Sequence, residues 1–322
     1  MNARNKLKIS TGVMYDELLR QHIPARIVDP DLSLLEFTDT AGSKKLLFST
    51  LSDRSSALGK AIADNKIRTE IIARELGIPV PIDRLCRSFE EVQEFFVQYK
   101  HVVLKPLDSS SGTGVSTNIK TLEMLRIAYE YALAYGNSVI AQQHVSGSDI
   151  RMLVTAGTFG SAVERRGAHV IGDGQSTIAD LIDQENNSGR RSKDSMSAVS
   201  LIDSDSAKRY LSDSIDSIPN DGKITQVVGP ANLSLGGTAH EATHLVTPAM
   251  INDAEKITQK LNLAICGVDM IWDQTTNLYY LIEINSTPGV NMHNDPFWGT
   301  SSQAIEDYVR WLNNPASVLP QA

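Results

Sequence analysis

Hydrophobic and polar positions alternate along the chain with two different periods, which predict a mixture of helices and strands. Helical spacing occurs in TGVMYDELLRQHI, KIRTEIIAREL, TLEMLRIAYEYALAYG and THLVTPAMINDAEKITQKLNL, and again near the end in SSQAIEDYVRWL. Strand-like runs occur in ARIVD, KKLLFST, HVVLKP, SVIAQQHV, ICGVDMIWD and LYYLIEI, and IRMLVTAGTFGSAVE is typical of a hairpin. Because both element types recur along the chain, the pattern predicts an α/β (α+β) protein.

Turn and cap residues delimit several of these elements. Thr121 and Thr247 are typical N-caps, and Pro248 suits the first turn of the helix that follows Thr247. In the helix that Gly77 ends, the spacing predicts one apolar face made of Ile67, Ile71, Ile72 and Leu76. The stretch 185–222 is rich in Ser, Asp and Asn, and we interpret it as a mobile excursion from the domain that contains it.

Composition narrows the classes of function. The chain has 322 residues, 41% of them hydrophobic, and a formal net charge of −8, which argues against a nucleic-acid partner. No apolar run is long enough to span a membrane, and no secretory signal is visible, so we expect a cytoplasmic protein without a membrane partner. Cys86 and Cys266 have no metal-type spacing and are predicted to be buried free thiols.

Two apolar strands near the C-terminal end carry acidic and amide side chains. Asp269 lies inside ICGVDMIW, and Glu283 and Asn285 lie two residues apart on LYYLIEIN. If the strands are neighbours, these side chains come together as the hard oxygen ligands that Mg²⁺ prefers. The alternative is that Asp269 and Glu283 form buried salt bridges with arginines, and the spacing alone favours neither.

Small residues and cations suggest anion contacts elsewhere. The loop LDSSSGTGV (107–115) follows a strand that contains Lys105, and Lys66 begins the preceding helix. Backbone N–H groups of such a loop, with two lysines, can bind phosphate, although a Ser/Gly loop is more often only a loop. Arg165 could stabilise developing negative charge, or it could form only a surface ion pair. Gly236 and Gly237 would allow close approach of a ligand to the backbone.

The order of these motifs resembles the ATP-grasp superfamily of carboxylate–amine ligases. The stretches RRGAHVIGDGQSTIADLID, ANLSLGGTA, ICGVDMIW and EINSTPGVNMH are similar to the ATP-grasp modules of cyanophycin synthetases and bifunctional glutathione synthetases. The resemblance implies an ATP-grasp fold with an α/β lead-in unit at 1–62, a small subdomain at 63–145 and a C-terminal subdomain at 146–322.

The resemblance also implies roles for individual residues. Asp269, Glu283 and Asn285 match the Mg²⁺ ligands, with two ions expected and Mn²⁺ as an alternative. The residues that match the ATP site are Lys66, Lys105, Ser111, Gly112, Gly114, Gln142, Gln143, Val145 and the ribose-binding Asp149. Arg165 matches the catalytic arginine, and the expected substrate-binding residues are Arg190, Arg191, Gly237 and Asn291.

Two departures accompany the resemblance. Relatives usually carry a glutamate in the adenine-binding hinge, where this chain has Gln142 or Gln143, although an amide oxygen can still accept from the adenine amino group. Their Arg-Arg-Gly-x-Gly-His stretch is replaced by Arg190, Arg191, Ser192, Lys193 and Asp194.

The expected activity is that of a stand-alone ATP-grasp ligase. It would activate a small-molecule carboxylate, such as an amino acid or short peptide, as an acyl-phosphate, and join it to an amine with release of ADP and phosphate. The alternatives are a small-molecule kinase on the same fold and a nucleotide-binding module without catalysis. The resemblance further implies a homodimer.

Overall fold

A computed structural model describes residues 3–107, 114–192, 199–228 and 233–320 of the chain. The structure divides into two compact units, and the chain passes between them four times. The first unit contains the described parts of 1–64, 149–269 and 284–322, and the second contains those of 65–148 and 270–283. The three-domain division expected from the resemblance stays a prediction.

The described residues form ten α-helices and fifteen strands. The helices are α1 (Ile9–Arg20), α2 (Ala57–Ala63), α3 (Lys66–Glu75), α4 (Phe89–Tyr99), α5 (Leu122–Leu133), α6 (Ile178–Asn186), α7 (Ser204–Leu211), α8 (Pro248–Lys260), α9 (Asn291–Asn294) and α10 (Ala304–Asn313). The strands are β1 (Ala25–Asp29), β2 (Leu34–Thr38), β3 (Lys44–Phe48), β4 (Leu51–Ser52), β5 (Asp83–Cys86), β6 (Val102–Pro106), β7 (Ser116–Ile119), β8 (Val139–Gln143), β9 (Ser148–Thr155), β10 (Thr158–Arg166), β11 (His169–Ile171), β12 (Ile224–Gln226), β13 (Thr238–Glu241), β14 (Ile265–Asp273) and β15 (Leu278–Asn285).

The N-terminal part of the first unit is a four-stranded antiparallel sheet, β1 to β4 in chain order, which shares a hydrophobic core with α1 and α10. Met14, Phe37 and Tyr308 are almost completely buried in this core. Each fully buried side chain of this size contributes roughly 1.5–3 kcal/mol. The Tyr308 hydroxyl donates to the backbone oxygen of Thr50 at 3.2 Å, so its polar end is satisfied.

A five-stranded sheet with the order β13-β10-β9-β14-β15 also belongs largely to the first unit. Strands β9 and β10 form the predicted hairpin, and Arg165 lies directly opposite Asp149 in their register. Side chains alternate between the two faces of a strand, so Ser161, Val163 and Arg165 share one face of β10. This register decides which polar side chains meet.

The described part of the Ser/Asp/Asn-rich stretch contributes to a small hydrophobic core. Ile202, Ala207 and Ile215 are buried there with residues of α6 and β11. Helix α6 begins with a capping box, in which the Thr177 side chain accepts from the backbone N–H of Asp180. Residues 185–222 therefore include ordered, packed segments, while the predicted mobility of this stretch stays a prediction.

The second unit is built on a four-stranded antiparallel sheet with the order β5-β8-β6-β7. Helices α4 and α5 pack on it through a core that includes Phe95, Leu104 and Leu125. The predicted N-cap at Thr121 is confirmed, because its side chain accepts from the backbone N–H of Met124. In the first unit the N-cap at Thr247 is confirmed in the same way.

The predicted apolar face of α3 is wrong at Ile71, whereas Ile67, Ile72 and Leu76 are half-buried. Ile71 is 52% exposed, and the buried residues of the helix are Thr69, Glu70 and Ala73. The helix turns its Glu70 side inward because this carboxylate meets Lys105 in the interior of the unit. The buried contact between Glu70 and Lys105, rather than the isoleucine spacing, therefore accounts for which side of α3 faces the interior of the unit.

Within the described residues, no helix is both long enough and apolar enough to cross a membrane. Cys86 and Cys266 are buried free thiols, as predicted.

Candidate active site

The arginine–aspartate cluster of the first unit consists of Asp149, Arg151, Arg165 and Asp269. Arg151 forms a bidentate pair with Asp269, in which Nε donates to Oδ1 at 2.6 Å and Nη2 donates to Oδ2 at 2.6 Å. Arg165 links the two acids, because its Nη2 donates to Asp149 Oδ1 at 2.6 Å and to Asp269 Oδ2 at 3.0 Å. Two positive and two negative charges thus offset the cost of burying one another.

Strand register brings these four side chains together. Asp149 and Arg165 are opposite each other on β9 and β10, and Arg151 lies two residues after Asp149 on the same face of β9. Strand β14, which carries Asp269, is the other neighbour of β9. For Asp269, the alternative of a buried salt bridge with arginines is therefore confirmed.

The arginines also decide the ionisation of the two acids. Burial disfavours the charged form of Asp269, but the charges and hydrogen bonds of Arg151 and Arg165 outweigh burial and hold the pKa of this carboxyl below its usual range. Burial raises the pKa of Asp149, and the charge of Arg165 only partly opposes this effect. Asp269 therefore stays ionised at lower pH than Asp149 does.

Asn285 adjoins this cluster on β15. A Cβ atom built on Gly267 would lie 3.5 Å from Asn285 Cβ and 3.7 Å from Arg151 Cδ, which places all three side-chain positions on one side of the sheet. The Asn285 Nδ2 atom is buried and has no hydrogen-bond partner among the described residues. Because the two ends of an amide are assigned from their partners, rotating the amide by half a turn would present its oxygen there instead.

These oxygens suit a hard cation. Asp269 Oδ1 accepts a hydrogen bond from Arg151 Nε, and a carboxylate oxygen has two acceptor positions. One carboxylate and one amide oxygen form part of an Mg²⁺ shell, which phosphates and waters usually complete. No group of three or more His, Cys, Asp or Glu side chains in the described ranges could hold a metal ion by itself. The donor set therefore fits Mg²⁺ bound together with a phosphate ligand.

A buried histidine lies close to the arginine–aspartate cluster. His293 Nδ1 and Ser161 Oγ are 2.9 Å apart. Burial lowers the pKa of His293 to about 3, and the charge of Arg151 acts in the same direction, so this imidazole is neutral. Asn291, on the same short helix, lies with its Oδ1 3.5 Å from Ser10 Oγ.

The lysine–glutamate cluster of the second unit consists of Lys66, Glu70, Lys105 and Gln142. Lys105 Nζ lies 3.8 Å from Glu70 Oε1, and Gln142 Nε2 lies 3.5 Å from the same oxygen. Burial raises the pKa of Glu70 to about 8, and a hydrogen bond with the Asp83 carboxyl acts in the same direction. The cluster brings both predicted phosphate lysines and one predicted hinge residue into one unit.

Burial and the neighbouring carboxylates shift the pKa of each lysine in opposite directions. Burial lowers the pKa of Lys105, and the negative charge of Glu70 opposes this effect. Burial also lowers the pKa of Lys66, while Glu283 and Glu70 raise it. The predicted metal ligand Glu283 is therefore close enough to both lysines to influence their charge. Lys66 is not the solvated helix-end lysine that its position alone suggests.

The other predicted ATP-site residues lie in or beside the same unit's sheet. The backbone N–H of Gln143 donates to Ile82 O at 2.7 Å, and Val145 is half-buried just beyond β8. Gly114 has a φ of +74°, a left-handed conformation that favours glycine, and a Cβ there would lie 2.6 Å from Pro106 Cγ. Ser111 and Gly112, like Lys193 in the first unit, lie outside the described residues.

The two predicted substrate arginines differ in their surroundings. Arg191 is buried, and its Nη1 donates to the backbone oxygens of Ser200 at 3.0 Å and Gly236 at 2.6 Å. Arg190 is 48% exposed, donates to Glu185 at 2.9 Å, and places its guanidinium 4.8 Å from the ring centroid of Phe297. Arg191 therefore holds the chain in place, whereas Arg190 can still meet a ligand.

A cavity of about 240 Å³ lies beside these arginines in the first unit. Its lining combines aromatic, charged and apolar side chains: His169, Val170, Ile171, Leu181, Gln184, Glu185, Arg190, Arg191, Phe297 and Trp298. Two more of the predicted substrate residues lie elsewhere in the unit. Gly237 is buried directly before β13, and Asn291 begins α9; neither lines this cavity.

Arg151 and Glu70 are candidate functional residues that the sequence analysis did not identify. Arg151 lies two residues after Asp149, so the two side chains share one face of β9, which the sequence indicates once this strand has been assigned. Glu70 lies four residues after Lys66, so both are on one side of α3. Neither signal states which partner the side chain meets.

Comparison with known proteins confirms the resemblance to ATP-grasp domains. Residues 70–180 match the family described as prokaryotic glutathione synthetase, ATP-grasp domain, and residues 226–300 match the RimK-like ATP-grasp domain. The cyanophycin synthetase of Trichormus variabilis is 32% identical over 79% of this chain. The glutathione biosynthesis bifunctional protein GshAB of Clostridium perfringens is 26% identical over 96% of it.

A solved structure confirms the fold. The crystal structure of a bifunctional glutathione synthetase from Pasteurella multocida superimposes with a TM-score of 0.72 at 22% identity, and the match covers 97% of this chain and 44% of that one. The chain spans only 30% of the cyanophycin synthetase and 41% of the GshAB protein. It therefore has the ATP-grasp fold and corresponds to part of these longer proteins.

Proposed function

We propose that this chain is an ATP-dependent ligase that activates a carboxylate as an acyl-phosphate and joins it to an amine. The observation that carries the proposal is the arginine–aspartate cluster beside Asn285. It provides cations and oxygen ligands on one face of a rigid sheet, where phosphate charge can be neutralised. The names of the relatives, a cyanophycin synthetase and a glutathione biosynthesis bifunctional protein, support the same class of reaction.

The proposed ATP contacts are the residues that the resemblance implies. Lys66 and Lys105 would neutralise phosphate charge, the hinge of Gln142, Gln143 and Val145 would meet adenine, and the loop with Ser111, Gly112 and Gly114 would cover the γ-phosphate. Asp149 would hold the ribose hydroxyls. Arg165 Nε and Nη2 both donate to Oδ1 of Asp149, so we assign Oδ2 to the ribose.

Asp269, Glu283 and Asn285 would hold Mg²⁺, with two ions expected and Mn²⁺ able to replace them. When bound, the metal neutralises the anionic phosphates so that a carboxylate can approach them. Arg151 fixes the Asp269 carboxylate through its bidentate pair, which keeps a ligand oxygen in place before the metal arrives.

The proposed reaction has two steps, and Arg165 acts in both. The substrate carboxylate attacks the γ-phosphorus of ATP, the bond to the β,γ-bridging oxygen breaks, and ADP leaves. The amine then attacks the acyl carbon, phosphate leaves, and the amine loses a proton. Arg165 would stabilise the negative charge on the acyl-phosphate and on the tetrahedral intermediate, because its guanidinium is already held by Asp149 and Asp269.

The substrates would be amino acids or short peptides that carry a carboxylate. Arg190 is our candidate for binding that carboxylate, since it is partly exposed and lines the cavity of the first unit. Arg191 would hold this segment against Gly236, and Gly237 and Asn291 remain proposed substrate contacts.

The experiment that tests the function combines ATP, Mg²⁺ and pooled amino acids with hydroxylamine. A ligase releases ADP and yields a hydroxamate, because hydroxylamine attacks the acyl-phosphate. ADP release without hydroxamate, together with a phosphorylated product, would identify the chain as a kinase. Absence of ADP release at all would leave only a nucleotide-binding module and contradict the proposal.

A further inference from the structure

Glu70 is the point at which the lysine–glutamate cluster converges, although the proposed ATP chemistry gives it no role. Its Oε1 atom lies 3.8 Å from Lys105 Nζ and 3.5 Å from Gln142 Nε2. Glu70, Lys105 and Gln142 are 6%, 5% and 4% exposed. A single buried oxygen that contacts both a phosphate-site lysine and a hinge amide can fix the positions of both side chains.

The contact with Glu70 determines how the Gln142 amide is oriented. An amide has a donor end and an acceptor end of nearly equal shape, and only its partners decide which end points where. Oε1 of Glu70 faces the ammonium of Lys105 and acts as an acceptor, because a proton on this carboxyl lies on its other oxygen, in the hydrogen bond with Asp83; Oε1 therefore takes the Nε2 end of Gln142. The carbonyl oxygen Oε1 of Gln142 is then directed away from Glu70.

The direction of this oxygen matters for recognising a purine base. The 6-amino group of adenine donates a hydrogen bond, whereas the 6-oxo group of guanine accepts one. A fixed amide oxygen therefore attracts adenine and repels guanine, while an amide that can rotate serves either base. A glutamate at this position would offer only acceptor atoms and would need no partner to orient it.

We propose that Glu70 is a positioning residue that makes the hinge selective for adenine nucleotides by fixing the Gln142 amide. This inference rests on the proposed binding of ATP by the second unit. Glu70, which lies on helix α3, makes the hinge present an acceptor atom to the base, as a glutamate on the hinge itself would. Glu70 also contacts Lys105, the proposed phosphate lysine. This second contact acts on the triphosphate, which ATP and GTP have in common.

The test is isothermal titration of the full chain with non-hydrolysable analogues of ATP and GTP in the presence of Mg²⁺. The readout is the ratio of the two dissociation constants, because effects through Lys105 alter both nucleotides alike and cancel in the ratio. Glu70→Met, which removes the acceptor, should lower the preference for ATP by about 10-fold, the value of one hydrogen bond. Glu75→Met, the same change at an exposed position of α3, should leave the ratio unchanged.

The double variant Glu70→Met/Gln142→Glu should restore the preference, since a carboxylate on the hinge presents only acceptors. An unchanged ratio in Glu70→Met, an equal loss of affinity for both nucleotides, or a double variant without recovery would each overturn the inference. If Glu70→Met does not fold, Gln142→Met should still lose the preference, and its retention would be equally decisive. Wild-type protein that binds neither analogue would refute the proposed function itself.

Discussion

The Arg151–Asp269 pair makes a quantitative prediction about stability. Its side chains are 12% and 5% exposed, and two hydrogen bonds of 2.6 Å join them. Removing one partner of a buried pair costs about 3–5 kcal/mol, because the other charge stays buried. We expect Arg151→Met near the lower end of that range, since Arg165 still contacts Asp269. Asp269→Asn should fall near the upper end, because both arginines lose a charged acceptor.

The double variant Arg151→Met/Asp269→Asn measures the coupling energy between the two side chains. Free energies of unfolding would be measured by urea denaturation followed by circular dichroism. The double variant should cost about 2 kcal/mol less than the sum of the single variants, because no charge of this pair is then left unmatched. The matched control is the exposed pair Arg310–Asp307, joined at 2.7 Å, whose cycle should show no measurable coupling. Additive effects at Arg151 and Asp269 would refute the view that pairing permits the burial of these charges.

Four further predictions test other parts of the account. Glu283→Gln should raise the Mg²⁺ concentration needed for ADP formation by more than about 10-fold, measured by metal titration, and an unchanged requirement would remove Glu283 from the metal site. Arg190→Gln should raise the KM of the carboxylate substrate roughly 10-fold without changing the KM of ATP, and equal changes in both would exclude a substrate contact. Thr177→Ala should cost about 1 kcal/mol in urea denaturation because α6 loses its capping box, and no loss would show that the cap is dispensable. Because the pKa of Glu70 is raised from 4.5 to about 8, folding takes up a proton between these values, and stability should fall as pH rises through this window. Glu70→Gln should flatten that pH profile, and a profile of the same slope would contradict the assignment.

Elements with strong local signals could be predicted from the sequence. Strand β14 matches the apolar run ICGVDMIWD from end to end, and Thr247 with Pro248 begins α8 as expected. Both signals lie within a few neighbouring residues, so distant parts of the chain cannot change them. Helix α4 (Phe89–Tyr99), although capped by Ser88, was not predicted.

Orientation and packing depended on distant partners. The spacing of α3 predicted one apolar face that includes Ile71, but Ile71 is exposed and the helix buries Glu70 against Lys105. The polar composition of 185–222 likewise concealed Ile202 and Ala207, which are buried against α6. In both cases a tertiary contact outweighed the local pattern.

The candidate site was predictable as a set of residues but not as an arrangement. Asp149, Arg165 and Asp269 were each identified, with ribose, catalytic and metal roles that remain proposals. Their mutual ion pairs depend on the register of β9 with β10 and on the placement of β14. Arg151 was missed for the same reason, because nothing near it in the sequence indicates its partner.

The most direct test of the proposed ligase activity follows one oxygen atom. The chain would be incubated with ATP, Mg²⁺ and pooled amino acids whose carboxylates carry ¹⁸O, and the released phosphate would be analysed by mass spectrometry. An acyl-phosphate transfers one carboxylate oxygen to phosphate when the amine displaces it, so we predict phosphate with one ¹⁸O atom and a condensed product. Formation of ADP with unlabelled phosphate would contradict carboxylate activation, and with it the account given for Arg165.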